Sequence, residues 1–123
     1  MESGRKVLIL DADIMIVMDV EEYLEQGGYE VVHLSSPAGA ISKIEYEEPD
    51  VLLLDIEMDR LDVDDLLETL QSDIEREELV IVAFSDMPAE ELQQYCMEKE
   101  LNGYFCKSMD ITQIAEFLNN FFE

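Results

Sequence analysis

Short apolar runs alternate with amphipathic stretches along the chain. Val7-Leu8-Ile9-Leu10 is continuous and closes on Asp11, and Val51-Leu52-Leu53-Leu54 has the same form and closes on Asp55. Leu79 to Phe84 repeats it and closes on Ser85; the short run Gly103-Tyr104-Phe105-Cys106 closes on Lys107. Tyr29 to Leu34 alternates more. Unbroken runs of this length suit strands covered on both faces, as in a parallel sheet between helices. A buried helix gives a similar run, but a longer one.

Between the runs lie helical periods. Asp13 to Gln26 places Ile14, Val17, Val20, Tyr23 and Leu24 on one face, and Gly27-Gly28 stops it. Ser36-Pro37 reads as the cap of a second helix carrying Ala38, Ile41 and Ile44. Asp62 to Ser72 carries Leu66, Leu67 and Leu70, and a helix after Pro88 carries Leu92, Tyr95 and Cys96. Asp110 caps the last helix. Its Ile111, Ile114, Ala115, Leu118, Phe121 and Phe122 point inward, with Gln113, Glu116, Asn119 and Asn120 toward solvent. Strand then helix, five times over, with right-handed crossovers, predicts an α/β fold. It is a doubly wound (βα)5 three-layer sandwich around a five-stranded parallel sheet. No repeat or linker interrupts it, so residues 1–123 read as one domain, its compact part running from about Lys6 to Phe122.

Charge narrows the partners. The 123 residues carry 31 Asp+Glu against 7 Lys+Arg, a formal charge of −24. Contacts to phosphate backbones and anionic lipid need basic side chains, so no direct nucleic-acid or membrane binding is expected. No apolar stretch reaches a membrane span and no signal segment is expected. Cys96 and Cys106 lack CxxC spacing and read as reduced structural thiols, which favours a cytoplasmic location. The single histidine, His33, makes a histidine metal site improbable and reads as a solvated or edge residue of strand 2. Glu75, Glu77, Glu78, Glu90, Glu91, Glu98 and Glu100 read as a solvated acidic surface, with a basic partner or a salt-rich cytoplasm as alternatives.

In doubly wound sheets the site lies beyond the carboxyl ends of the strands, at the switch point. Asp11 and Asp13 follow strand 1, Asp55 and Glu57 strand 3, Ser85 ends strand 4, and Lys107 follows strand 5. If those strands are neighbours, carboxylates, a hydroxyl and an ammonium meet in one pocket. Crowded carboxylates raise one another's pKa, and an oxygen-rich site that relieves this with a divalent cation suits Mg²⁺. Lys107 can pair with a carboxylate or with an anion attached to it, and Ser85 can donate to the same anion. Such a set is equipment for phosphoryl transfer to an aspartate. An Asp or Ser after a strand is also ordinary turn chemistry; the match of all four strand ends is what distinguishes this chain.

The segments KVLILDAD at 6–13, VLLLDIEM at 51–58, VIVAFSD at 80–86 and GYFCKS at 103–108 resemble the response-regulator receiver domain of two-component signalling. The likeness spans nearly the whole chain. It implies a flavodoxin-like fold and a phosphoacceptor at Asp55. It also implies Mg²⁺ held by an acidic pair after strand 1, of which Asp11 matches the first member, together with Asp55 and the backbone carbonyl of Glu57. Ser85 matches the switch hydroxyl, Tyr104 the switch aromatic, and Lys107 the lysine that pairs with the phosphoryl group. The implied partners are a histidine kinase or histidine phosphotransfer protein, a downstream target read through the face around strands 4 and 5, and a homodimer. The resemblance implies a phosphorelay regulator rather than an enzyme, its own phosphorylation and dephosphorylation being its chemistry.

Several positions depart from the family. Ala12 stands where the second acid belongs, with Asp13 one residue late as its substitute. Asp86 replaces a small residue after Ser85, Asp59 and Ser108 replace prolines, and Val63 replaces a glycine. Ala12 and Asp86 weaken the expected Mg²⁺ site and support a different class: a pseudo-receiver acting as a phosphorylation-independent interaction module. A flavin- or nucleotide-binding protein is disfavoured, because Asp11-Ala12-Asp13 stands where a phosphate loop would be and repels phosphate. Ile14 to Met18 is apolar all round, so Met15 and Met18 read either as scattered surface apolars beside a wide core stripe or as a contact surface, on the helix that faces the kinase in receivers. Cys106 beside Lys107 reads as a buried strand residue, with a cation-activated thiol as the alternative.

Overall fold

The computed structural model describes residues 4–72 and 78–123; Glu75 and Glu77 of the acidic set lie outside them. Strands β1 (Lys6–Leu10), β2 (Glu30–Leu34), β3 (Val51–Leu54), β4 (Val80–Ser85) and β5 (Gly103–Cys106) form one parallel sheet in the order β2-β1-β3-β4-β5. The helices are α1 (Ile14–Gln26), α2 (Ala40–Glu47), α3 (Val63–Gln71), α4 (Ala89–Lys99) and α5 (Ile114–Asn119), the last flanked by short 3-10 turns at Ile111–Gln113 and Asn120–Phe122.

Strand alternation sorts the core into layers. Val7, Ile9, Val51, Leu53, Val82, Phe84 and Phe105 face α1 and α5, meeting Val17, Val20, Leu24, Ile114 and Leu118. Leu8, Leu10, Leu52 and Leu54 face α2 and α3, and Ala83 and Cys106 face Leu92 and Cys96 of α4. The β1, β3 and β4 side chains in these layers are almost fully buried, which is why their runs show no polar alternation. The chain leaves β1 for the edge strand β2 and returns across β1 to β3, so the direction of winding reverses at the β1–β3 seam. The ends of β1 and β3 therefore open the crevice that positions the site.

Two local expectations are corrected. Ser36-Pro37 does not cap α2: Ser36 Oγ accepts from the Ala38 amide at 3.3 Å in a turn, and the helix starts later, after Gly39 at φ 75°. The α2 stripe accordingly runs from buried Ala40, while Ala38 is exposed. In α1, Ile14 is exposed and Ile16 packs against the core instead. Asn119 is exposed, as expected, and also accepts a 2.6 Å hydrogen bond from the Tyr29 hydroxyl, tying α5 to the start of β2.

Candidate functional site

Asp11 follows the last residue of β1, and its amide donates to the Leu34 carbonyl at 3.1 Å, prolonging the β1–β2 ladder by one bond. Its side chain is fully buried. Oδ1 accepts from the Asp13 amide at 2.8 Å. Oδ2 has no aligned hydrogen bond, but the Lys107 ammonium lies 2.9 Å from it as an ion pair. Asp55 leaves β3 in the same way, its amide on the Leu10 carbonyl at 2.9 Å. Its Oδ1 accepts from the Glu57 amide at 3.0 Å and its Oδ2 lies 3.6 Å from the Lys107 ammonium.

Lys107 is placed from the other side of the crevice. Its amide donates to the Ser85 carbonyl at 2.8 Å, so β4 and β5 end in register. The side chain is nearly buried and crosses the Phe84 ring, its ammonium 5.2 Å from the ring centroid. One cation thus bridges two carboxylates over an aromatic floor.

Desolvation by burial raises the Asp55 carboxyl above its ordinary range, and the charge of Asp11 adds to this; the Glu57 amide and Lys107 pull the other way. Burial by itself would lower the Lys107 ammonium, but Asp11, Asp55 and Asp86 together outweigh it and raise the group. Exposed Asp86 therefore does act on the pocket, through its charge.

The remaining candidates are placed as follows. Ser85 is fully buried; its hydroxyl donates to Glu57 Oε1 and accepts from the Met87 amide at 3.1 Å. The Asp13 carboxylate caps α1, accepting from the Ile16 amide at 3.3 Å. Tyr104 is half-buried on the edge strand β5, packed against the cluster of Ala83, Leu92, Cys96 and Cys106. Asp11, Asp55 and Lys107 thus meet directly, and Glu57 ties Ser85 to them. Burial pushes the Cys106 thiol up and the Cys96 thiol up to about 11, so both stay protonated near neutral pH and Lys107 does not activate its neighbour.

Two site contacts escape the sequence. The His33 ring nitrogen Nε2 lies 2.8 Å from the Asp11 carbonyl oxygen. The signal is a lone polar side chain near the carboxyl end of the strand that pairs with β1. The other is the bond between Ser85 and the Glu57 side chain, which the sequence placed among the pocket carboxylates without naming a partner for it.

The donors here are hard oxygens, and a fully buried Asp11 oxygen lacks an aligned hydrogen bond, so the residues fit a small divalent cation. Among the described residues no group of three or more His, Cys, Asp or Glu forms a ready cage. Mg²⁺ commonly takes one or two carboxylates and keeps several waters.

A parallel sheet ordered 2-1-3-4-5, with an acidic crevice bridged by one lysine at its carboxyl end, is a flavodoxin-like architecture. The chain belongs to the response regulator receiver domain family, whose model matches residues 7–119. It is similar to the alkaline phosphatase synthesis transcriptional regulatory protein PhoP of Bacillus subtilis, 36% identical over 59 residues, covering 48% of this chain and 25% of that protein. It is also similar to the transcriptional regulatory protein PdtaR of Mycobacterium tuberculosis, 28% identical over 111 residues, covering 89% of this chain and 53% of that protein. The matches thus span a quarter and about half of the lengths of these curated relatives. Among solved structures, chemotaxis response regulator CheY4 of Vibrio cholerae superposes with a TM-score of 0.83 at 20% identity, over 97% of this chain and 99% of that one. That likeness carries the fold. Receiver domains are regulatory parts of two-component signalling rather than classical enzymes, and as a family they bind Mg²⁺ at the phosphorylation site. No helix among the described residues is long and apolar enough to cross a membrane.

Proposed function

We propose that residues 1–123 act as one cytoplasmic receiver domain that accepts a phosphoryl group on Asp55 from a phosphohistidine of a histidine kinase or histidine phosphotransfer protein. The observation that carries this is the Lys107 ammonium, 2.9 Å from Asp11 and 3.6 Å from Asp55 at the switch point. An Asp55 carboxylate oxygen forms the new bond to phosphorus. The phosphorus–nitrogen bond breaks, its electron pair stays on the imidazole, and the products are an acyl phosphate and histidine. Lys107 balances the charge that arrives, and the Glu57 amide on Oδ1 fixes the carboxylate so that Oδ2 faces the cation. Asp11, Asp55 and the Glu57 carbonyl would hold Mg²⁺, with Asp13 standing in for the acid missing at Ala12. The ion supplies charge neutralisation at the phosphoryl oxygens.

Ser85 is the donor for the attached phosphoryl group, and Tyr104 reports the change to the face around β4 and β5, where a downstream target or a second copy of the chain reads it. Exposed Ile14, Met15 and Met18 on α1 support this helix as the kinase-facing surface. Reversal is hydrolysis of the acyl phosphate within the same site. A second reading, a pseudo-receiver that binds partners without phosphorylation, draws on Ala12.

Incubation with acetyl phosphate and Mg²⁺, followed by intact mass, separates them. A gain of one phosphoryl group that disappears in Asp55→Asn and on chelation is expected. Unchanged mass at high donor and Mg²⁺ favours the interaction module.

A further inference from the structure

The Glu57 side chain holds the one proton that the switch hydroxyl has to give. Ser85 Oγ is fully buried and donates to Glu57 Oε1, while the Met87 amide donates to Oγ at 3.1 Å. A hydroxyl carries a single proton, so Ser85 cannot serve Glu57 and a phosphoryl oxygen at once. The contact is built into the site: the Glu57 amide is bonded to Asp55 Oδ1 at 3.0 Å, so this carboxylate starts from the loop that carries the acceptor. Glu57 itself is exposed, so when displaced it moves into water, where a carboxylate is well solvated.

We propose that the Glu57 carboxylate is a latch on Ser85, competing with the phosphoryl group on Asp55 for the same hydroxyl and so setting how fully phosphorylation switches the domain. This rests on Asp55 being the acceptor. In the resting state one anion, Glu57, satisfies the buried hydroxyl. Phosphorylation brings a second anion, which repels Glu57 and offers Ser85 better acceptors. The switch is then an exchange of acceptors on one donor. Glu57 is here a positioning residue: it acts through Ser85 and not on the phosphorus.

The test is a double-mutant cycle on Glu57→Ala and Ser85→Ala, with Glu57→Gln as a variant that keeps an acceptor without the charge. Two readouts are taken: the Met87 amide resonance without donor, and the fraction of Asp55 adduct at fixed acetyl phosphate and Mg²⁺. Glu57→Ala is expected to shift the donor-free Met87 resonance and to raise the adduct-to-free ratio severalfold, with Glu57→Gln between it and wild type. In a Ser85→Ala background most of the gain from Glu57→Ala should vanish. A gain of the same size with and without Ser85 overturns the latch and leaves plain charge repulsion by Glu57. A Met87 resonance that Glu57→Ala leaves in place overturns it as well. No adduct in any variant overturns the acceptor reading and the competition with it, while the donor-free Met87 shift still reports whether Glu57 engages Ser85.

Discussion

His33 Nε2 lies 2.8 Å from the backbone carbonyl oxygen of Asp11. A carbonyl has no proton, so the imidazole is the donor, and the tautomer with hydrogen on Nε2 follows from the partner. The edge strand β2 thereby secures the turn that presents the buried acid. His33→Leu keeps an apolar body at this half-buried position and removes the donor. It should cost about 1 kcal/mol in urea unfolding, the net worth of one such bond. His33→Gln, which retains an N–H donor, should recover part of that. Equal loss in both variants would assign the effect to packing.

The raised Asp55 carboxyl makes a pH prediction. Between the ordinary value of 3.8 and its raised folded value, the folded chain keeps a proton that the unfolded chain has released. Stability therefore falls as pH rises through that window, and the penalty is fully present above it. Asp55→Asn removes the buried charge next to Asp11. In Mg²⁺-free buffer at neutral pH it should raise the melting temperature by roughly 4 °C, about 1 kcal/mol, with little gain near pH 4. Lys107 runs oppositely: its raised pKa contributes stability below its ordinary value of 10.5, lost as pH climbs through the folded value. An Asp55→Asn gain that does not shrink on acidification would contradict the burial account.

The parallel sheet and the pocket are legible because four of the five strands end where an apolar run meets Asp11, Asp55, Ser85 or Lys107, and parallel pairing aligns those ends. The strand order is not, because nothing in the runs says which strands are neighbours. Helix starts were harder. Ser36-Pro37 serves a turn as well as a cap, and only the left-handed Gly39 shows that α2 begins later. Ile14 fits a helical stripe by spacing, yet it is exposed on the first turn of α1, while Ile16 and Val17 pack against the core. Side-chain partners across the pocket, such as Glu57 for Ser85 and the Asp11 carbonyl for His33, depend on rotamers that no periodicity encodes.

Asp13 has two assignments that one substitution separates. Its carboxylate caps α1 through the Ile16 amide, and it is the proposed replacement for the acid missing at Ala12. Serine is an equally good cap but carries no charge. Asp13→Ser should leave metal-free stability within about 0.5 kcal/mol of wild type and raise the Mg²⁺ dissociation constant severalfold by titration calorimetry. Asp13→Ala should lose about 1 kcal/mol of stability as well. Mg²⁺ affinity unchanged in Asp13→Ser would remove Asp13 from the ligand set and leave Asp11 and Asp55 as its acids.

Gly27 is required by a neighbour and not by its backbone. Its φ of −83° is open to any residue, but an added Cβ would stand 2.6 Å from the Ala115 Cβ on α5. That is closer than two carbon atoms pack, so Gly27→Ala must push α1 and α5 apart or bend the end of α1. Overpacking of this kind costs about 1–3 kcal/mol. The same contact makes the remedy specific. Ala115→Gly opens the space on the facing helix, so the double variant should recover most of the overpacking loss, less about 1 kcal/mol for a glycine inside a helix. If the two losses simply add, the close approach does not set the α1–α5 spacing. Because α1 also carries the Asp13 cap and the exposed methionines, Gly27→Ala should weaken partner docking only as far as it destabilises the helix, and the double variant should restore both together.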